Sequence, residues 1–285
     1  MAVAERLGAE ILSVDSMQVY RGMDIGTAKP TIEERRRIPH HMIDVADPEE
    51  EFTVARFQAE ARRVIAQGTR PVILVGGSGL HFRAVVDPLR FPPYDPEVRT
   101  RLEGLSADEL RRRLLEVDAE AGRHVDLSNP RRVLRALEIW ELTGDTPSGR
   151  AATAEAAAVR EYRAELAVRA IGVDPGPALA ERVRRRLGRM RQLGLLEEVE
   201  RLAPRLGRTA AQAVGYKELL DVVSGKVGID EGFAQAEAAT LALARRQRTF
   251  FRRDPRIRWI PWTDDLDRLV AAAIDALEVE APCSS

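Results

Sequence analysis

SVDSMQVYRGMDIGTAKP, residues 13 to 30, follows a short apolar run of Ile11, Leu12 and Val14 and sets an acid, hydroxyls, an amide and a lysine directly behind it. That order predicts a strand whose carboxyl end delivers Asp15 to a crevice, where open α/β sheets hold their ligands. Downstream, PVILVGGSGLHFRAVV (71 to 86) reads as a second buried strand, a glycine turn and the start of a helix. Its apolar run stops at Gly76 and Gly77 and resumes at helical spacing. A helix around Val54 to Gln67 joins the two strands, which completes a β-α-β unit and implies a parallel sheet.

The chain has 285 residues, more than a single core usually holds, so one large α/β domain with an insertion, or two domains, is expected. Apolar residues make up 45%, ample for a packed core, and the net charge is −1, so nucleic-acid binding has to come from local clustering of the 44 basic residues. All but three of these are Arg, which favours planar, bidentate phosphate contacts over point charges. The single Cys283 lies in a polar tail and excludes an intramolecular disulfide and a thiolate zinc site. There is no apolar run of membrane-spanning length and no basic-then-apolar leader, so a cytoplasmic protein without membrane contact is expected.

Pro88, Pro92 and Pro93 cannot continue a helix and mark a boundary. From Pro96 through Leu142 the pattern is helical, with caps and breaks at Ser106, Asn129 and Gly144, and an alanine-rich stretch from Gly149 to Val159 follows. The expected organisation is therefore an α/β core over 1–92 and 165–285 with a helical insertion over 93–164. ELAVRAIGVD (165 to 174) reads as a strand returning to the sheet, followed by helices over Pro177 to Leu202, Ala210 to Val223 and Asp230 to Phe251. IRWIPW makes a last strand, and an amphipathic helix runs from Asp264 to Leu277.

Four segments carry chemistry. Asp15 at a strand end can bind Mg²⁺ or accept a proton, and Gln18 one turn on can read an adenine through paired hydrogen bonds; an isolated Asp-Ser pair equally suits a turn cap. GGSG at 76 to 79 exposes backbone N–H groups at a helix N-terminus, which suits phosphate, though such clusters also serve as plain tight turns. In SNPRRVLRALEIWELTG (128 to 144), Ser128 and Asn129 precede Pro130 as caps, and Arg131, Arg132 and Arg135 cluster at the positive end of the helix. They suit an outside polyanion or a solvated face beside Glu138 and Glu141. ERVRRRLGRMRQLGLLEEVERL (181 to 202) gathers six arginines before Glu197, Glu198 and Glu200, a segregation of sign that suggests a phosphate surface.

The segment 13 to 30 closely resembles the second-strand motif of the bacterial tRNA dimethylallyltransferase family, and the likeness runs in order from Val3 to Trp259. GGSGLH resembles the family's GGTGLY with Ser78 for Thr and His81 for Tyr; QAVGYKEL (212 to 219) and ARRQRTFFRRDPRIRW (244 to 259) complete the match, with Leu241 for an arginine and Phe250 for a tryptophan. The resemblance implies a P-loop NTPase-like parallel sheet core with a helical insertion domain that grips the anticodon arm of tRNA. It implies transfer of dimethylallyl from dimethylallyl diphosphate to N6 of the adenosine 3′ to the anticodon, with Mg²⁺ as cofactor, in a monomeric, nucleotide-binding-type enzyme. It makes Asp15 the base, places tRNA contacts on Asp15, Ser16, Met17, Gln18, Ser78, Arg99, Arg131, Arg132, Val133, Leu134 and Arg135, and puts Arg186, with Arg182 as alternate, on the diphosphate.

A P-loop needs G-x-x-x-x-G-K-[ST]. Lys29, Lys217 and Lys226 precede Pro30, Glu218 and Val227, so residues 1 to 285 contain none. Because MAVAERLGAEI reads as the end of a helix stopped by Gly8, the expectation is an incomplete chain that lacks a strand and P-loop of about 20 residues and is inactive as written. Two other readings stay open: a P-loop kinase of a small molecule, which shares the core but does not need the Arg-rich insertion, and a truncated tRNA-binding remnant.

Overall fold

The computed structural model describes residues 1–278, so Cys283 lies outside the described residues. These residues form two compact units, one of Met1–Val86 with the chain from Ala167 onward, the other Asp87–Leu166.

The first unit opens with α1 (Ala2–Leu7), which ends on Gly8 in the left-handed conformation at φ 58°. β1 (Glu10–Val14) follows, with Ile11 to Val14 buried. After the 15–29 segment come α2 (Ile32–Arg37), whose Thr31 and Glu34 form a capping box, and the two-residue β2 (His40–His41); neither was anticipated. α3 (Val54–Gln67), capped by Thr53, buries Phe57 and Ala61, and β3 (Val72–Gly76) and α4 (Gly79–Val86) complete the β-α-β unit. β1 is the middle strand, parallel to β2 on one side and to β3 on the other, with Val14 opposite Gly76. This register puts the residues after Val14 and the turn after Gly76 at the same, carboxyl edge of the sheet.

In the second unit a side-chain oxygen caps each helix at its start: Asp95 for α5 (Pro96–Glu103), Ser106 for α6 (Ala107–Val117) and Asn129 for α7 (Pro130–Thr143). Thr146 caps α8 (Pro147–Ala151) and Thr153 caps α9 (Ala154–Arg160), helices that alanine and glycine content alone did not announce. Leu102, Leu110, Leu114, Ala121, Val133, Leu134, Ala136 and Leu137 make its core. Ser128 is not a cap; its hydroxyl donates to Asp126.

On return to the first unit, β4 (Ala170–Asp174) is shorter than expected and pairs in parallel with β5 (Ile257–Pro261), not with the β1 sheet. The long helix expected up to Leu202 is broken, because Gly194 at φ 92° separates α10 (Leu179–Gln192) from α11 (Leu195–Leu202). α12 is confined to Tyr216–Val223, while α13 (Ile229–Phe251) and α14 (Leu266–Glu278) run close to the expected spans. No helix among the described residues is long and apolar enough to cross a membrane.

Candidate active site at the end of β1

Asp15 stands one residue beyond β1, partly exposed, and its Oδ1 accepts from the backbone N–H groups of Met17 (2.7 Å) and Gln18 (3.2 Å). This is an Asx turn. It occupies one carboxylate oxygen and leaves Oδ2 without a hydrogen-bond partner among the described residues. Ser16, Met17 and Gln18 share that turn and are partly exposed. Gln18 has a different task from the one its type suggested: Oε1 accepts from the Ser13 hydroxyl at 2.7 Å, and Nε2 donates to the carbonyl of Thr27 at 3.0 Å. With both ends of the amide spent inside the protein, it cannot read an adenine by a hydrogen-bonded pair. It ties the Asp15 turn to residues 27 and 28 instead.

The glycine turn lies against the same strand end, the Ser78 N–H donating to the Val14 carbonyl at 3.3 Å. The Ser78 hydroxyl is 2.7 Å from Nδ1 of His81, which is buried and meets Phe57 edge to face at 4.7 Å. At Gly79 a Cβ would fall 2.3 Å from the Phe250 ring, so only glycine lets α13 come this close to the turn. Phe250 thus covers the turn while remaining 39% exposed, and Leu241 is half-buried further back on α13.

Burial holds the His81 imidazole below the ordinary 6.5, and the negative charge of Asp15 opposes that shift. The ring is therefore neutral at pH 7 and accepts or donates at Nδ1 according to tautomer. Desolvation by the surrounding protein likewise lowers the proton affinity of Arg186, again against the pull of Asp15, but a guanidinium stays cationic at neutral pH. Arg186 and His81 thus both feel the charge of Asp15. We expect the His81 imidazole, followed by NMR, to titrate with a midpoint below 6.5. The folded state then binds fewer protons than the unfolded chain, so stability contributed by the neutral ring falls as pH drops below 6.5 through that midpoint. A midpoint above the ordinary value would contradict the burial.

Arg182 does not join them. Its guanidinium lies 3.6 Å over the Trp262 ring and 3.9 Å from Asp264.

A second, separate set lies on the helical unit. Arg131 and Arg132 are exposed at the start of α7, Arg132 with only a 3.7 Å approach to Asp126. Val133 and Leu134, carried over as tRNA contacts, are core residues at 1% and 5% exposure, so their side chains cannot touch RNA. Arg135 pairs with the buried Glu138 at 2.8 Å and donates to the carbonyls of Pro92 and Pro93. Arg99 reaches Glu138 at 3.4 Å and Glu103 at 3.0 Å. Both charges are thus largely answered within the unit.

Sequence reading missed several inward-facing charges, Lys29 and Glu198 among them. Lys29, whose side chain is 2% exposed, contacts the Tyr20 carbonyl, Asp24 and Asp44. Glu198 is buried on α11 and accepts from the N–H groups of Asp24, Ile25 and Gly26. A signal existed: Glu198 falls on the apolar face of Leu195, Val199 and Leu202, at i, i+3, i+4 and i+7.

Among the described residues no group of three or more His, Cys, Asp or Glu could hold a metal. A single carboxylate, Asp15, is available, which suits Mg²⁺ only if phosphate oxygens of a substrate supply most of its shell.

Comparison with known proteins agrees with this arrangement. The family model described as IPP transferase matches residues 18–254. A tRNA dimethylallyltransferase of Bifidobacterium longum is 46% identical over 278 residues, covering 91% of this chain and 81% of its own length. One of Streptomyces avermitilis is 46% identical over 270 residues, covering 90% and 84%. Among solved structures, the full-length tRNA isopentenylpyrophosphate transferase of Bacillus halodurans superposes with TM-score 0.68 at 35% identity, covering 97% of this chain and 91% of that one. A eukaryotic dimethylallyltransferase acting on tRNA, at 23% identity and TM-score 0.74, covering 96% and 74%, shares the fold. With a parallel sheet core, an acid beyond its central strand and matches of this extent, the chain belongs to the IPP transferase family, that of the bacterial tRNA dimethylallyltransferases.

Proposed function

We propose that this protein transfers a dimethylallyl group from dimethylallyl diphosphate to N6 of the adenosine 3′-adjacent to the anticodon of tRNA, acting as a monomer in the cytoplasm. The observation that carries the reading is Asp15 beyond β1, with one oxygen held by two backbone N–H groups, the other open, and the Arg186 cation within electrostatic reach. The target base leaves its stack to reach such a site. Oδ2 of Asp15 takes a proton from the exocyclic amine as the N6 lone pair forms a bond to C1 of the dimethylallyl group. The C1–O bond breaks, its electrons leave with the diphosphate, and Arg186 offsets the charge gathering there. Bound Mg²⁺ would neutralise the same leaving group, held chiefly by the diphosphate oxygens. Neutral His81 and Ser78, joined by a 2.7 Å contact, stand in the glycine-turn segment at the same strand end.

The reading is tested by incubating the chain with unmodified tRNA and isotopically labelled dimethylallyl diphosphate and locating the label by nuclease digestion and mass spectrometry. Label on the adenosine beside the anticodon supports it; label elsewhere or none overturns it. A phosphate-acceptor assay on small molecules would expose kinase chemistry instead.

Contact with the anticodon arm falls to Arg131 and Arg132, the exposed cations of α7. Arg131→Ala is expected to weaken tRNA binding and to reduce the slope of log affinity against log salt by about one unit, as the loss of one phosphate contact does. Arg135→Ala should loosen the helical unit, since its guanidinium is spent on Glu138 and on Pro92 and Pro93. Equal salt slopes for Arg131→Ala and the parent would return α7 to an ordinary solvated face.

A further inference from the structure

We infer that Glu198 is a positioning residue for the Asp15 site: from the core it fixes the 24–28 loop, and through Gln18 it fixes the turn that presents the base. The inference rests on the prenyl-transfer reading for its kinetic consequence, though not for its structural one.

Glu198 is 2% exposed, and no cation pairs with it among the described residues. An ionised carboxylate in such a place is costly unless hydrogen bonds replace its water. Here Oε2 accepts from Asp24 N–H at 3.1 Å and Ile25 N–H at 2.9 Å, and Oε1 from Gly26 N–H at 3.1 Å and from the Tyr216 hydroxyl. Three successive backbone N–H groups turned to one point make the concavity that elsewhere cradles a phosphate. In this chain its own carboxylate fills it, so the loop is held in an anion-bound shape with no ligand. Gly26 permits the approach: a Cβ there would meet the Tyr216 ring at 2.4 Å and Leu195 at 3.0 Å. The next residues extend the tie, for the Thr27 carbonyl accepts from Gln18 Nε2, and Ala28 sits in the left-handed region at φ 49°. A non-glycine residue in that region needs its surroundings to hold it there. Gln18 then donates its own N–H to Asp15 Oδ1. The path from Glu198 to the base is thus three hydrogen bonds, Gly26 N–H to Glu198, Gln18 Nε2 to the Thr27 carbonyl and Gln18 N–H to Asp15, and none of its side chains except Asp15 meets substrate in the proposed reaction. A displacement of about 1 Å at the base can cost about 10²-fold in rate.

The test combines amide hydrogen exchange, resolved residue by residue by NMR, with steady-state prenyl transfer by the full chain. In the unaltered protein the amides of Met17, Gln18, Asp24, Ile25 and Gly26 are expected to share one opening rate. Glu198→Gln turns one acceptor oxygen into an NH₂ facing N–H donors. It should speed exchange at both groups of amides at least about tenfold and lower kcat by about 10- to 100-fold, while KM for tRNA changes less than about threefold. Tyr216→Phe keeps all three amide contacts and should shift both readouts the same way but less. Independent opening of 17–18 and 24–26 in the unaltered protein overturns the proposal, and that measurement stands even if the Gln variant does not fold. A Gln variant in which only 24–26 exchange faster, with kcat unchanged, overturns it as well. If the unaltered chain transfers no prenyl group, the functional reading fails, while the exchange data still decide whether Glu198 holds the Asp15 turn.

Discussion

Asp15→Asn is expected to lower prenyl transfer by about 10²- to 10⁴-fold, the range associated with a positioned general base, and to leave tRNA affinity nearly unchanged. Asparagine can keep the turn, because its Oδ1 still accepts from the N–H groups of Met17 and Gln18. What it cannot do is take a proton at the other position, where an NH₂ replaces the open oxygen. The loss should therefore fall on kcat, with binding spared. Single-turnover transfer and filter binding on the same preparation separate the two, and undiminished turnover would remove Asp15 as the base.

Glu138→Ala should be the most destabilising single change in the helical unit. The side chain is 0% exposed, and Arg135 and Arg99 converge on its Oε2 from side chains 31% and 17% exposed. Removing the acid takes a charge partner from both cations, leaving Arg99 with Glu103 and Arg135 with the Pro92 and Pro93 carbonyls; breaking a fully buried pair costs about 3–5 kcal/mol. Partial exposure of the arginines brings the expected loss nearer about 2–3 kcal/mol, with the cavity left by the shortened side chain included. Oε1 has no hydrogen-bond partner among the described residues, so Glu138→Gln should cost less than Glu138→Ala. Urea denaturation followed by a probe such as Trp140 reads the difference, and a loss under about 1 kcal/mol would show that the ion pairs add nothing to the unit.

Legibility in the sequence followed whether a residue's role depends on neighbours close in the chain. β1, the glycine turn and the capped helices α5, α6 and α7 were legible, since apolar runs, Gly76–Gly77 and the oxygens of Ser106 and Asn129 act within a few residues. Asp15 was legible by its place at a strand end. Partner choice was not. Nothing local says that Gln18 spends its amide on Ser13 and Thr27, or that Arg135 turns inward to Glu138 while Arg131 turns out. The pairing of β4 with β5 was equally hidden, because strand partners are set by tertiary packing across more than 80 intervening residues. Glu198 and Lys29 hid for another reason: acids and lysines are almost never buried, so composition argues for the surface until the contacts are seen.

The contact from Glu198 to Asp24 joins residues 174 apart in the chain, and the whole helical unit, Asp87–Leu166, is threaded between them. During synthesis the helical unit is contiguous and rich in local contacts, so it can collapse as soon as it leaves the ribosome. The segment bearing Asp15 has no such independence. It is made before the helical unit and finished after it, when α11 arrives to fill the three N–H groups of its loop. Folding order therefore runs against chain order here: the sheet made before the helical unit is completed only after it, with the late arrival of α11.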